Sequence, residues 1–302
     1  MSTPTDVTQR RGAAGSGLAW WQSRGARDRI IRVFSYVVVI AGACVLMLPF
    51  LWMFSSSLKT QHAVFASPPQ WIPDPVMWRN YIDAWTAMPF TRFLFNTLFI
   101  VALGLTGEVM STTVVAYGFA RYRFPGRDFL FIILLSTMML PYVVTLIPTF
   151  LIWRTFGLID QFDPLVIGAI FAWGPFHIFL LRQFMMTIPM QMEEAAIVDG
   201  ANTAQRFLWV MIPLVRPALL AVAVFTFQSF WNDFLGPLIY LNDMNKYTMN
   251  LGLYFFFGGP AEPPRWNWVM ALSALLAVPI LVLFFFAQKY FIEGLTVTGL
   301  KG

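Results

Sequence analysis

The sequence predicts an all-α integral membrane protein with six spanning helices, and three observations carry that prediction. Of its 302 residues, 58% are hydrophobic and only 12% charged, whereas soluble domains carry about a quarter charged residues. Six stretches reach the roughly 20 mainly apolar residues that a helix needs to cross a bilayer, at 33–54, 93–117, 129–150, 164–181, 218–240 and 268–286. The 20 Lys and Arg residues fall unevenly on the two sides that these spans define.

Taken in order, residues 1–30 are polar and basic and read as a flexible cytoplasmic arm. The first span is too long for a signal-peptide core and follows that arginine-bearing segment, so it reads as a retained helix. With the external loop after it, this span makes a section at 31–92. Residues 93–290 form the core with the other five spans, and 291–302 are a cytoplasmic tail. With the N-terminus inside, Arg10, Arg11, Arg24, Arg27, Arg29, Arg32, Arg121, Arg123, Arg127, Arg182, Arg206, Arg216, Lys289 and Lys301 are cytoplasmic. Only Lys59, Arg79, Arg92, Arg154, Lys246 and Arg265 lie outside. Positive charge marks the cytoplasmic side, so both termini are expected there. The net charge of +5 follows this topology and forms no recognition stripe, so the lipid bilayer is the expected environment and no nucleic acid is expected as a partner. Cys44 is the single cysteine, which excludes an intrachain disulfide or cysteine metal site.

One polar segment breaks the apolar pattern between the fourth and fifth spans. In "TIPMQMEEAAIVDGANTAQRFLWVMIPLVRP", residues 187–217, Pro189 suits a first helical turn, and Glu193 and Glu194 lie near its positive end. Gly200 stops that helix, and Asn202 or Thr203 can cap a second one running to Pro213. The reading is helix, glycine bend and helix along the cytoplasmic membrane surface. Ala195 and Ala196 leave little bulk, Glu194 offers an anchor for a partner arginine, and Ile197 and Val198 supply apolar contact. The segment is either a plug for a groove on another protein or a plain connector between two spans.

Two acids fall at membrane depth, Glu108 and Asp233, where a charge is costly enough to suggest function. Trp231, Asn232 and Asp233 together offer an aromatic face with hydrogen-bonding neighbours, suited to a sugar ring. Structural pairing in the fifth helix is the other reading, and ion exchange in a secondary carrier is a third. Pro141, Pro148, Pro175 and Pro237 interrupt their spans, and kinked helices can surround a cavity. The four lysines follow Leu58, Asn245, Gln288 and Leu300, so none completes a phosphate-cradling loop, which needs Gly before Lys. No metal site or nucleophile elbow is present, and His62 and His177 stand alone. His177 reads as a packed polar residue.

The order and spacing Glu194, Ala195, Ala196, Gly200, then Val210, Met211, Ile212 and Pro213 resemble the "EAA" signature of ATP-binding-cassette (ABC) import permeases. Val210 and Ile212 depart mildly from the usual Ile and Leu. "WRNYIDAW" (78–85), "AYGFARYRFPG" (116–126), "FWNDFLGPLIY" (230–240) and the tail "QKYFIEGLTVTGLKG" (288–302) resemble the carbohydrate branch, most strongly the maltose-type permease. In that tail Thr298, Gly299 and Leu300 depart from the usual pattern. The resemblance implies a MetI-like permease fold with a coupling helix at 189–212. It implies that Glu193, Glu194, Ala195, Ala196, Asp199, Gly200, Ala201 and Pro213 serve ATPase coupling, and that Trp231, Asn232, Asp233 and Glu108 are candidates for the substrate pathway. It further implies a second permease subunit as heterodimer partner, two copies of a cytoplasmic ABC ATPase, and an external solute-binding protein. This chain is expected to bind no cofactor, with ATP and Mg on the ATPase subunits, and the final residues from Gly294 reach into the ATPase dimer in the maltose-type arrangement. The implied function is ATP-driven import of a sugar or sugar-like solute across a bacterial or archaeal cytoplasmic membrane by alternating access. The alternatives are an ABC permease for an amino acid, peptide or phosphate ester, and an ion-coupled carrier.

Overall fold

A computed structural model describes the backbone of residues 24–258 and 264–299, and the side chains of 28–258 and 264–288. The basic arm expected at residues 1–30 lies mostly outside this range. All regular structure among the described residues is helical, as lipid demands of a chain that must satisfy its backbone hydrogen bonds internally. Two compact units divide the chain, Met1–Trp52 and Met53–Gly302. Helix α1 (Arg24–Ser57) begins in the first, and every site described below lies in the second.

After a single turn α2 (Gln61–Val64), the second unit contains α3 (Arg79–Ala87) and the long helix α4 (Phe90–Arg121). With 32 residues, α4 spans about 48 Å at 1.5 Å per residue, and the unit is built round it. Near its C-terminal end Ala116 and Tyr117 pack with Ile178, Leu181, Met185, Met211, Val215 and Val222. Toward its N-terminal end Phe90, Phe93 and Val101 pack with Ala84, Trp231, Met249, Leu272 and Leu276. Gly104 lets the ring of Phe230 lie against the α4 backbone, where a Cβ would overlap it. Small residues permit this kind of close approach between membrane helices.

Among the described residues five helices are long and apolar enough to span, and the predicted third span is a bent pair that makes a sixth if its halves form one span. Its halves, α5 (Arg127–Thr137) and α6 (Tyr142–Thr155), meet at 99°. Pro141 lies at that break with extended backbone, where it cannot donate to a continuous ladder. The fourth span is likewise interrupted, between α7 (Asp163–Ile170) and α8 (Pro175–Thr187). The fifth differs more from expectation. The helix expected to stop at Pro213 continues: α10 (Thr203–Gln205) passes through a π-helical stretch, Arg206–Met211, into α11 (Ile212–Asn232). Pro213 follows directly on that π-helical stretch, where the change of hydrogen-bond register lets the helix carry on past a residue without an N–H. The span then ends at Asn232 rather than 240, and Pro237 lies in a separate short helix, α12 (Leu235–Tyr240).

Helix α13 (Met249–Gly258) precedes α14 (Trp266–Gly299). The latter is one continuous helix of 34 residues, so no backbone break sets off the tail expected from 291. The last three residues of that tail, and its side chains, lie outside the described residues.

Hydrogen bonds tie the predicted external segments together at the N-terminal end of α4. Asn80 Nδ2 donates to the carbonyls of Ser57 and Lys59, both at 2.8 Å, and Asn267 Nδ2 donates to Asn80 Oδ1 at 3.1 Å. Asn96 Nδ2 donates to the carbonyls of Asn245 and Tyr247. Asp160 accepts the backbone N–H groups of Asn242 and Asp243 and pairs with Lys246 at 3.0 Å. Those N–H groups, of Asp243 and then Asn242, hold the Asp160 carboxyl below the ordinary carboxylate range.

Candidate functional site

The "EEAA" segment lies at the other end of α4. It forms α9 (Gln191–Val198), two residues shorter at its start than Pro189 suggests. Gly200, at φ +87°, ends it. Gly200 N–H donates to Ile197 O at 2.9 Å and Ala201 N–H to Ala196 O at 2.8 Å, the paired bonds of a Schellman turn. Asn202, rather than Thr203, caps the following helix. Its Oδ1 accepts from Gln205 N–H at 2.9 Å, and Gln205 Oε1 accepts from Asn202 N–H at 2.8 Å, a reciprocal capping box.

The two adjacent glutamates point different ways, as neighbours on a helix must. Glu194, Ala195, Asp199 and Gly200 are exposed, as are Ile197 and Val198, and Ala196 and Ala201 are half-buried. Glu193 is buried, at 3% exposure. Its Oε1 lies 2.6 Å from Arg121 Nε, and its Oε2 accepts from the Tyr117 hydroxyl at 2.7 Å. Arg121 Nη2 also donates to Ile188 O at 3.0 Å, just ahead of α9. By sequence Arg121 is only one of the positive-inside charges, and nothing singles out Tyr117. Their spacing of four residues, which sets both on one face of the last turns of α4, is the available signal.

Midway along the unit lies a cavity of about 460 Å³. Three helix interruptions meet there. Tyr142, Thr145, Thr149 and Trp153 come from α6, Trp173 and Gly174 from the break before α8, His177 from α8 itself, Asp233 from the break after α11, and Gly236 and Tyr240 from α12. Irregular backbone at membrane depth is tolerated where it lines such a cavity. Glu108 enters from α4, and its Oε1 lies 2.9 Å from His177 Nδ1. Gly174 makes that pairing possible, because a Cβ there would overlap Glu108 Oε1. Asp233 Oδ1 accepts from Gly236 N–H at 3.1 Å. The Thr226 hydroxyl is buried and has no hydrogen-bond partner among the described residues.

Of the predicted pathway residues, the structure brings Glu108 and Asp233 to this cavity and leaves Trp231 and Asn232 out. Trp231 is 2% exposed, its ring stacks on Phe227 at 5.7 Å, and its Nε1 donates to Leu276 O at 3.1 Å. The indole is a packing element because both its face and its N–H are already used. Asn232 is exposed at the end of α11. The aromatic surfaces of the cavity are instead Tyr142, Trp153, Trp173, Phe230 and Tyr240. Phe230 and Tyr240 bound the "FWNDFLGPLIY" motif, but no motif flags Tyr142, Trp153 or Trp173, which converge only once the helices break. His177, solitary in the sequence, is the partner of Glu108.

Interrupted helices round a cavity that holds two carboxylates, with a short helix presented at one end, fit the membrane-spanning part of a transporter. The chain belongs to the family of binding-protein-dependent transport system inner membrane components, which it matches over residues 109–297. It is 31% identical over 275 residues to the sn-glycerol-3-phosphate transport system permease protein UgpE of Yersinia enterocolitica, covering 88% of this chain and 96% of that one. It is 28% identical over 268 residues to the diacetylchitobiose uptake system permease protein NgcG of Streptomyces coelicolor, covering 89% and 88%. Among solved structures, a chain of a bacterial ABC transporter involved in import of the acidic polysaccharide alginate superposes with a TM-score of 0.78. That match has 26% identity and covers 89% of this chain and 98% of that one.

Proposed function

We propose that this chain is the permease subunit of an ATP-driven importer for a sugar or sugar-like solute, working by alternating access in a bacterial cytoplasmic membrane. In this reading both termini are cytoplasmic, and a second permease subunit completes the pathway. Two ABC ATPase subunits dock from the cytoplasm, and an external binding protein delivers the solute. The chain itself binds no cofactor, and ATP and Mg belong to the ATPase subunits. Membership of a binding-protein-dependent transport family supports this, as does the relation to permeases named for diacetylchitobiose and glycerol phosphate uptake.

The observation that carries the proposal is the presentation of α9. Its exposed face holds Glu194, Ala195, Asp199 and Gly200, small and acidic, while its opposite side is fixed to the body of the protein. Ile197 and Val198, at 52% and 87% exposure, add apolar contact. The cavity bears on the solute. Among its lining residues are hydroxyls, aromatic rings and two carboxylates, Glu108 and Asp233, but no Lys or Arg. That lining suits a polyhydroxylated solute, because aromatic faces and a few placed polar groups match sugar rings.

The test is a mild-detergent pull-down of the tagged chain, coexpressed with candidate ATPase and permease partners, in wild type, Glu194→Lys and Gly200→Asp forms. The expected result is that both partners copurify with wild type and the ATPase is lost from the variants. Wild type that purifies alone and carries solute into liposomes without ATP would overturn the importer reading in favour of an ion-coupled carrier.

A further inference from the structure

We propose that Glu193, Arg121 and Tyr117 form an internal strut that makes α9 and the end of α4 move as one body, so that Glu193 is a positioning residue and not a docking contact. The strut has this role only under the importer reading, in which α9 receives motion from an ATPase.

The geometry of the three side chains fixes α9 in place. A surface helix of 8 residues is too short to hold its own shape in isolation, so its position must come from tertiary contacts. The first contact is the Glu193–Arg121 pair at 2.6 Å, with side chains 3% and 7% exposed. A second is the Tyr117 hydroxyl on the other carboxylate oxygen. The third runs from Arg121 to Ile188 O, so one guanidinium grips both α9 and the backbone leading into it. Tyr117 also packs its ring on Phe207, centroids 5.0 Å apart, beyond the glycine bend. Both flanks of α9 are thus tied to a single helical face of α4.

The same helix reaches the cavity. Glu108, which lines the cavity, lies on α4 nine residues before Tyr117. Because a helix is stiff along its axis, a displacement of α9 delivered through the strut reaches the cavity wall as motion of α4. Without the strut, α9 would be held to the spans by Ile188 and Pro189 on one side, Ala201 and Asn202 on the other, and its packing against the π-helical stretch Arg206–Met211. The partner's push would then be absorbed in those joints. The buried charge pair suits this task because breaking it by losing one partner leaves an uncompensated charge, which gives the joint two states, closed or expelled, and little compliance between.

The experiment uses the full complex with its ATPase and second permease, in a Cys44→Ser background, with spin labels at Gln191→Cys on α9 and Val114→Cys on α4. Both positions are exposed. Interspin distance distributions are recorded without nucleotide and with ATP, and ATPase copurification is scored on the same samples. The doubly labelled parent is expected to give one narrow distribution that ATP does not shift. Glu193→Gln is expected to keep the ATPase bound yet broaden the distribution at least twofold, and Tyr117→Phe to broaden it less. Loss of the ATPase from Glu193→Gln with a narrow distribution would make Glu193 a docking contact and overturn the proposal. An unchanged distribution in both variants would overturn it too. If Glu193→Gln does not elute as a single species, Tyr117→Phe, which removes only one hydroxyl, decides by the same two readouts. Failure of the parent to retain an ATPase would instead sink the importer reading on which the proposal rests.

Discussion

Gly174 is the residue on which the cavity wall turns. Any side chain there overlaps Glu108 Oε1, so Gly174→Ala must expel the carboxylate from its contact with His177. Leaving a buried polar group without its partner costs about 1–3 kcal/mol, and Gly174→Ala is expected to lower the detergent thermostability midpoint accordingly. The double variant Gly174→Ala with Glu108→Ala removes the overlapping atoms and should be more stable than the sum of the singles predicts. A strictly additive pair, measured by loss of monodisperse elution on heating, would show that the overlap relaxes without disturbing the pair. Sequence alone exposes Glu108 as an acid at membrane depth, because its cost there is a property of one residue. It does not expose His177 as the partner, since 69 residues separate the two and only the break before α8 brings them together. Trp231 misleads for the converse reason. An aromatic beside polar neighbours looks the same in sequence whether its ring faces a cavity or, as here, the core.

Among the elements, α9 is the most legible, because its ends are written in local chemistry. Gly200 supplies a left-handed stop, and Asn202 with Gln205 supplies a cap. A Cβ at Gly200 would meet nothing within 4 Å, so the need for glycine within this chain is conformational. Gly200→Ala then costs roughly 1–2 kcal/mol in the left-handed region, and Gly200→Asn costs less because Asn tolerates it. ATPase copurification should therefore fall with Ala and fall less with Asn. The reverse order, with the bulkier Asn worse, would mean that Gly200 is required by the close approach of a partner surface. The interruptions at Pro141 and Pro175 are legible from proline, whereas the unbroken passage of α6 through Pro148 and the continuation through Pro213 are not. Proline removes one hydrogen bond wherever it stands, but whether the helix bends, starts or carries on depends on what packs around it. At 141 the chain turns by 99°, while the helix carries on past Pro213 after the π-helical stretch.

At the scale of the whole second unit, the sidedness read from charge has a structural counterpart. The segments holding Lys59, Arg79, Arg92, Arg154 and Lys246 gather about the N-terminal end of α4, linked by Asn80, Asn96, Asn267 and Asp160. Arg121, Arg127 and Arg206 lie about the other end with α9. A division by charge count and a division by contacts thus agree on which loops share an end, though the first used no structure. Which end faces the cytoplasm is a matter of membrane insertion, governed by the Lys and Arg bias of short loops, and it admits a direct test. In a Cys44→Ser background, Ile72→Cys is exposed in the predicted external loop, and Asp128→Cys is exposed in the first turn of α5. A membrane-impermeant maleimide applied to intact spheroplasts should label Ile72→Cys alone, and Asp128→Cys should react only after the membrane is opened. Asp128 is a suitable site because its pair with Arg127 is solvent-exposed, where such pairs contribute little. Labelling of Asp128→Cys in intact cells with protection of Ile72→Cys would place α9 outside, beyond reach of any cytoplasmic ATPase. The strut would then have no motor to serve, and the role of α9 would have to be sought among external partners.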